Sequence, residues 1–95
     1  MDTEKMSLDT LAQHFYDRSL SKKDIASRIH YQSAADLSLR IVSEIPITKR
    51  EVNSYGWHIA TRTVNIATEA AENKPEEEIM KIASRAAKQI QAAAS

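Results

Sequence analysis

The stretch SKKDIASRIHYQSAADLSLRIVSEIP, residues 21–46, carries the same local signal twice. Ser21 followed by Asp24, and Ser33 followed by Asp36, each match a capping box, in which a hydroxyl accepts from the amide three residues on and an acid returns the bond. Leu20 and Ile25 flank the first box as an apolar staple, whereas Gln32 leaves the second without one. Read this way, the segment folds as two short helices. Ile25, Ala26 and Ile29 form the buried face of the first, and Ala34, Leu37, Ile41 and Ile45 form the stripe of the second. His30, Tyr31 and Gln32 make the link between them, and Pro46 ends the second helix because the residue before a proline avoids helical angles.

Similar signals extend in both directions. Ser7, with Met6 and Leu11 as its staple, opens a helix whose face is Leu8, Leu11, Ala12 and Phe15 and which ends near Arg18. Thr48 with Glu51, between Ile47 and Val52, meets every term of the box and opens a long helix from Lys49 to Glu72, about 36 Å at 1.5 Å per residue. Val52, Gly56, Ile59, Thr63, Ile66 and Ala70 lie on one side of it, and Trp57, Ala60, Val64, Ala67 and Ala71 lie about 100° away. A helix apolar on two sides is expected to pack against neighbours on both, or against a neighbour and a second subunit. Pro75 ahead of Glu76, Glu77 and Glu78 starts the last helix, with φ fixed and acids facing the positive end of the helix dipole. Its apolar face runs from Ile79 and Ile82 through Ala83, Ala86, Ala87 and Ile90 to Ala93 and Ala94.

The expected architecture is therefore all-α: five helices in one domain over residues 1–95, a three-helix cluster at 7–45 followed by an antiparallel helical hairpin at 48–94. Loss of the hydroxyl of Ser21 or of Thr48 is expected to cost about 1 kcal/mol. Composition agrees. The chain has 95 residues, of which 42% are hydrophobic but only 5% aromatic, and one Gly and two Pro leave too few turn-makers for a series of hairpin-linked strands. It has no cysteine, hence no disulfide framework and no thiolate chemistry. No stretch approaches the roughly 20 apolar residues of a bilayer span, and the first residues lack a leader's apolar core. A soluble cytoplasmic protein is expected.

Thirteen basic and thirteen acidic residues cancel, yet residues 18–62 hold eight Lys or Arg against four Asp or Glu, while the first 17 hold four acids and one base. This local excess points to an acidic partner rather than to a generally basic protein. The expected contact residues are Arg18, Lys22, Lys23, Arg28, Arg40 and Arg62, with Tyr31 and Tyr55 as aromatic anchors. Trp57, Ile59 and Val64, on the two apolar sides of the long helix, are the expected self-association residues of a homodimer, since so small a chain buries a modest share of its surface alone.

His14, His30 and His58 lack the spacing of metal ligands, and no phosphate loop, nucleophile elbow or unassigned carboxylate pair is present, so no catalytic site, metal or cofactor is expected. The expected function is that of a small non-enzymatic helical protein binding another macromolecule, a protein in the first instance, as an adaptor, inhibitor or regulatory subunit. The alternative is a dimeric DNA-binding transcriptional regulator. The two short helices at residues 21–45 resemble a helix-turn-helix unit, although Asp36 falls at a position that wants an apolar residue, and Asp36 and Glu44 on the reading face would repel phosphates.

Overall fold

The computed structural model describes residues 8–44 and 54–94, and these form four helices, α1 (Leu8–Ser21), α2 (Ile25–Glu44), α3 (Ser54–Ala71) and α4 (Glu76–Ala94). Four replaces the expected five because α2 runs unbroken through His30, Tyr31 and Gln32. Neither Gly nor Pro interrupts residues 25–44. From Tyr31 onward the apolar period is continuous, through Ala34, Ala35, Leu37 and Ser38 to Ile41, so one helix buries the whole stripe against its neighbours. The three-helix cluster is thus a helical pair, α1 with α2. The helix-turn-helix unit at residues 21–45 is overturned with it, since the turn it requires lies inside α2.

Three details of the capping reading change as well. Ser21 ends α1, and its hydroxyl donates to the Arg18 carbonyl at 2.8 Å. Asp24 is the cap of α2 instead, its carboxylate accepting from the Ser27 amide at 2.8 Å. Ser33 and Asp36 lie within α2, and Asp36 pairs with Arg40 one turn on. Ser7, Ile45, Pro46, the box of Thr48 with Glu51, and residues 49–53 of the expected long helix lie outside the described residues.

The hydrogen bond from Ser27, more than any other influence, holds the Asp24 carboxyl below its ordinary value of 3.8. The stability this cap contributes is therefore full above that ordinary value and drains away as pH falls through the lower native one. Asp24→Ala is expected to lower the melting temperature by a few degrees at pH 7, with Asp24→Asn close to wild type and Ser21→Ala nearly silent. Thermal melts followed by circular dichroism check all three, and the gap between wild type and Asp24→Ala should narrow in acid.

Between α3 and α4 the chain turns at Asn73, whose φ of 60° is left-handed, a conformation Asn tolerates better than most residues. The Lys74 amide closes the end of α3 on the Ala71 carbonyl at 3.1 Å. The amides of Glu78 and Ile79 donate to the Pro75 carbonyl at 3.0 and 3.1 Å, and the three glutamates occupy the first turn of α4. This link is short enough to fold α3 and α4 back on each other as a hairpin.

α2 is the hub and touches the other three helices, in a flattened molecule of 37 × 30 × 17 Å. Leu8, Leu11 and Phe15 of α1, Leu37 and Ile41 of α2, Val64 of α3 and Ile90 of α4 supply the large side chains of a single core cluster. Alanines fill the crossings, among them Ala34 and Ala35 of α2, Ala60 and Ala67 of α3, and Ala83, Ala86 and Ala87 of α4. Three buried hydroxyls are satisfied one turn back: Ser19 donates to the Tyr16 carbonyl, Ser38 to Ala34 and Thr68 to Val64. Ile25, Ala26 and Ile29 are not core, contrary to the capping-box reading. All three are exposed, because the buried face of an unbroken α2 points the other way.

Candidate partner-binding corner

α1 and α2 meet through the tight connection Lys22–Asp24, and five of the eight expected contact residues, Arg18, Lys22, Lys23, Arg28 and Tyr31, gather around it. Phe15 anchors the region from below, its ring 6.3 Å from that of half-buried Tyr31 and 5.9 Å from His14. His14 in turn meets Trp57 of α3 edge-on at 5.5 Å, and His30 meets Tyr31 in the same manner at 5.7 Å. Rings from three helices thus form one aromatic cluster, in which edge-to-face geometry adds about 0.5–1.5 kcal/mol per pair beyond burial.

Two cations stand over the Tyr31 ring. The Arg18 guanidinium carbon lies 5.6 Å from its centroid and the Lys22 ammonium 5.2 Å. One helical turn separates them in sequence, and among the described residues neither belongs to an ion pair. The ring's negative face partly offsets two like charges brought together, and an anion approaching from solvent would complete the balance. Arg28 belongs to the same connection but has structural work. Its Nε and Nη2 donate to the Lys22 carbonyl at 3.3 and 2.9 Å, tying the turn to the first coils of α2. Lys23 is exposed beside it.

The other expected residues are placed elsewhere. Arg40, three turns along α2 from Arg28, is bound to Asp36 at 3.0 Å and to Glu76 of α4. These two carboxylates, Glu76 foremost, raise its guanidinium above the ordinary value, so it clamps two helices and is no free cation. Arg62 is exposed on the side of α3 opposite Ala60 and Val64, since successive residues step round a helix by about 100°. The side chain of Tyr55 lies outside the described residues. Of the expected self-association residues, Val64 is fully buried in the core and is overturned as a contact. Trp57 is half-buried against His14, and Ile59 is half-buried at the edge of α3.

Two features of this region were not read from sequence. Leu20, Ile25 and Ile29 leave 62%, 71% and 56% of their surfaces exposed, the first two at the connection and Ile29 one turn along α2, where it lines a cleft with Thr68 and Glu72. The Ser21 box, with Leu20 and Ile25 as its staple, and the helical spacing of Ile25 and Ile29 marked them for burial, and only the continuity of α2 reveals otherwise. Thr61 and Asn65, assigned above to no apolar side of α3, hold Oγ1 and Oδ1 out of solvent without a partner among the described residues. They share a flank with Trp57, which meets α1, and with Thr68 and Glu72, which line a cleft against α2.

Among the described residues no three His, Cys, Asp or Glu side chains are grouped closely enough to hold a metal ion, and no helix is long and apolar enough to cross a membrane. Compared with protein-family models, with curated proteins and with solved structures, the chain matches none.

Proposed function

We propose that this protein is a non-enzymatic binding protein whose α1–α2 corner docks an acidic protein partner. One observation carries the reading: Leu20 and Ile25 are displayed to solvent at the connection that holds Arg18, Lys22, Lys23 and Arg28, with Ile29 exposed one turn along α2. Scattered single aliphatics are ordinary on a surface, but large ones at one connection, where four cations outnumber the single carboxylate of Asp24, are the composition of an interface. Aliphatic burial would supply affinity, with Tyr31 as a rigid platform under the cations, and the unpaired charges would speed encounter with acidic surfaces.

The test is site-resolved crosslinking. A photoreactive amino acid at position 25 of the full chain should trap an acidic protein in extract of its native cells, while the same group at exposed Gln91 on α4 should not. The adduct should vanish with Lys22→Glu/Lys23→Glu, weaken as salt is raised, and survive Arg62→Glu. Equal adducts from positions 25 and 91, or an adduct at 25 indifferent to the lysine reversals, would overturn the assignment.

A further inference from the structure

A second surface, on the other side of the molecule's hairpin, carries an independent pattern. Between α3 and α4 lies an open groove lined by Thr63, Ile66 and Ala70 on one wall and Ile82, Ala86 and Gln89 on the other. Ile66 at its lip is 58% exposed, and Ala70 beside it is exposed as well. This is the apolar side of α3 that the sequence shows in addition to its core side, and no described element covers it.

The charges along the outer edges of this groove are arranged with a symmetry. On α3, exposed Arg62 and Glu69 flank Ile66, and on α4, exposed Glu78 and Arg85 flank Ile82. Each acid and base are seven residues apart, two helical turns or about 10.5 Å, so they share one face of their helix. The midpoint of the first pair lies five and a half residues before Ala71, the end of α3, and that of the second lies five and a half residues after Glu76, the start of α4. The two midpoints therefore stand at the same height above the turn.

We infer that this groove is the contact face for a second copy of the chain, joined by a twofold axis that crosses the hairpin at the level of Ile66 and Ile82. Such an axis lays α3 antiparallel on α3 of the second copy and α4 antiparallel on α4. It brings Ile66 against Ile66 and Ile82 against Ile82, and sets each Arg62 opposite a Glu69 and each Glu78 opposite an Arg85. A partner of any other sequence would have to reproduce this spacing on both helices, whereas a second copy does so by construction, because a twofold interface is self-complementary. Glu78 also reaches Lys81 in its own helix at 3.8 Å, a long and exposed contact that leaves it able to turn to Arg85 of the second copy. The inference is separate from the α1–α2 corner and stands or falls without it.

Sedimentation equilibrium of the full chain tests it. Wild type should sediment as a dimer, and Ile66→Asp as a monomer with an unchanged helical spectrum. Glu69→Arg, which sets like charges opposite each other twice, should raise the dimer dissociation constant about tenfold. The double reversal Arg62→Glu/Glu69→Arg should restore wild-type affinity, since it inverts the pattern without breaking the symmetry. A wild-type chain that stays monomeric at millimolar concentration, or a double reversal no tighter than the single, would overturn it.

Discussion

Val64→Asp is expected to abolish folding, while Ile66→Asp, two residues further on, leaves the four helices intact. The two positions are 200° apart on α3. Val64 is 0% exposed among alanines and aliphatics of α1, α2 and α4, and Ile66 faces out over the groove. A carboxylate held at position 64 would be desolvated in a core cluster whose members carry no charge, a cost of several kcal/mol that rivals the whole stability of a domain this size. At position 66 it stays in water, and an exposed substitution shifts stability by about 0.5 kcal/mol or less. Far-UV circular dichroism at neutral pH separates the two outcomes. Equal loss of helix in both variants would mean that α3 does not present the face described.

Phe15→Ala is expected to remove about 3–5 kcal/mol, the range for emptying a buried aromatic site in a core that relaxes only in part. Among the described residues Phe15 is the largest fully buried side chain, 1% exposed. It packs α1 on α2 and lies against the Tyr31 ring, so its loss reaches the candidate corner too. Against a total of about 5–15 kcal/mol, that is a large fraction of what holds the chain together. Urea denaturation gives the magnitude, and a loss below about 1 kcal/mol would show that the α1–α2 contact is not the centre of the core.

The sequence displayed some of this plainly and hid the rest for identifiable reasons. Leu8, Leu11, Ala12 and Phe15, expected as one face, are all buried, and the Pro75-Glu76-Glu77-Glu78 start stands at the head of α4. These signals are strong because proline fixes the backbone and a four-residue apolar period has one geometric solution. The boxes at Ser21 and Ser33 failed because Ser and Asp three residues apart also occur inside helices, where Ser can bond back to a carbonyl and Asp can pair with a base one turn on, as Asp36 does with Arg40. A box marks a start only if something ends the preceding helix, and nothing between Ile25 and Glu44 does so. The error then spread: with α2 cut at His30, Ile25 and Ile29 read as core, whereas both are exposed.

The candidate corner was legible as charge but not as geometry. Arg18, Lys22 and Tyr31 could be picked out by residue type, and their meeting depends on α2 crossing α1 at the level of Phe15. Arg28 and Arg40 carry the same charge, yet one is spent on the Lys22 carbonyl and the other on Asp36 and Glu76. Long-range partners of that kind leave no trace in local spacing. The symmetry of Arg62, Glu69, Glu78 and Arg85 was present in the sequence throughout, but only the position of the α3–α4 turn gives it meaning.

The unbroken course of α2 is what sets Tyr31 beneath two cations and turns Ile25 and Ile29 to solvent, and the backbone carbon shifts of residues 28–36 report on it directly. Continuous helical ¹³Cα and ¹³C′ shifts through His30, Tyr31 and Gln32, with slowed amide exchange at Ala34 and Ala35, are the expected result. Coil-like shifts at those three residues, with fast exchange on either side, would contradict it and restore two helices joined by a turn.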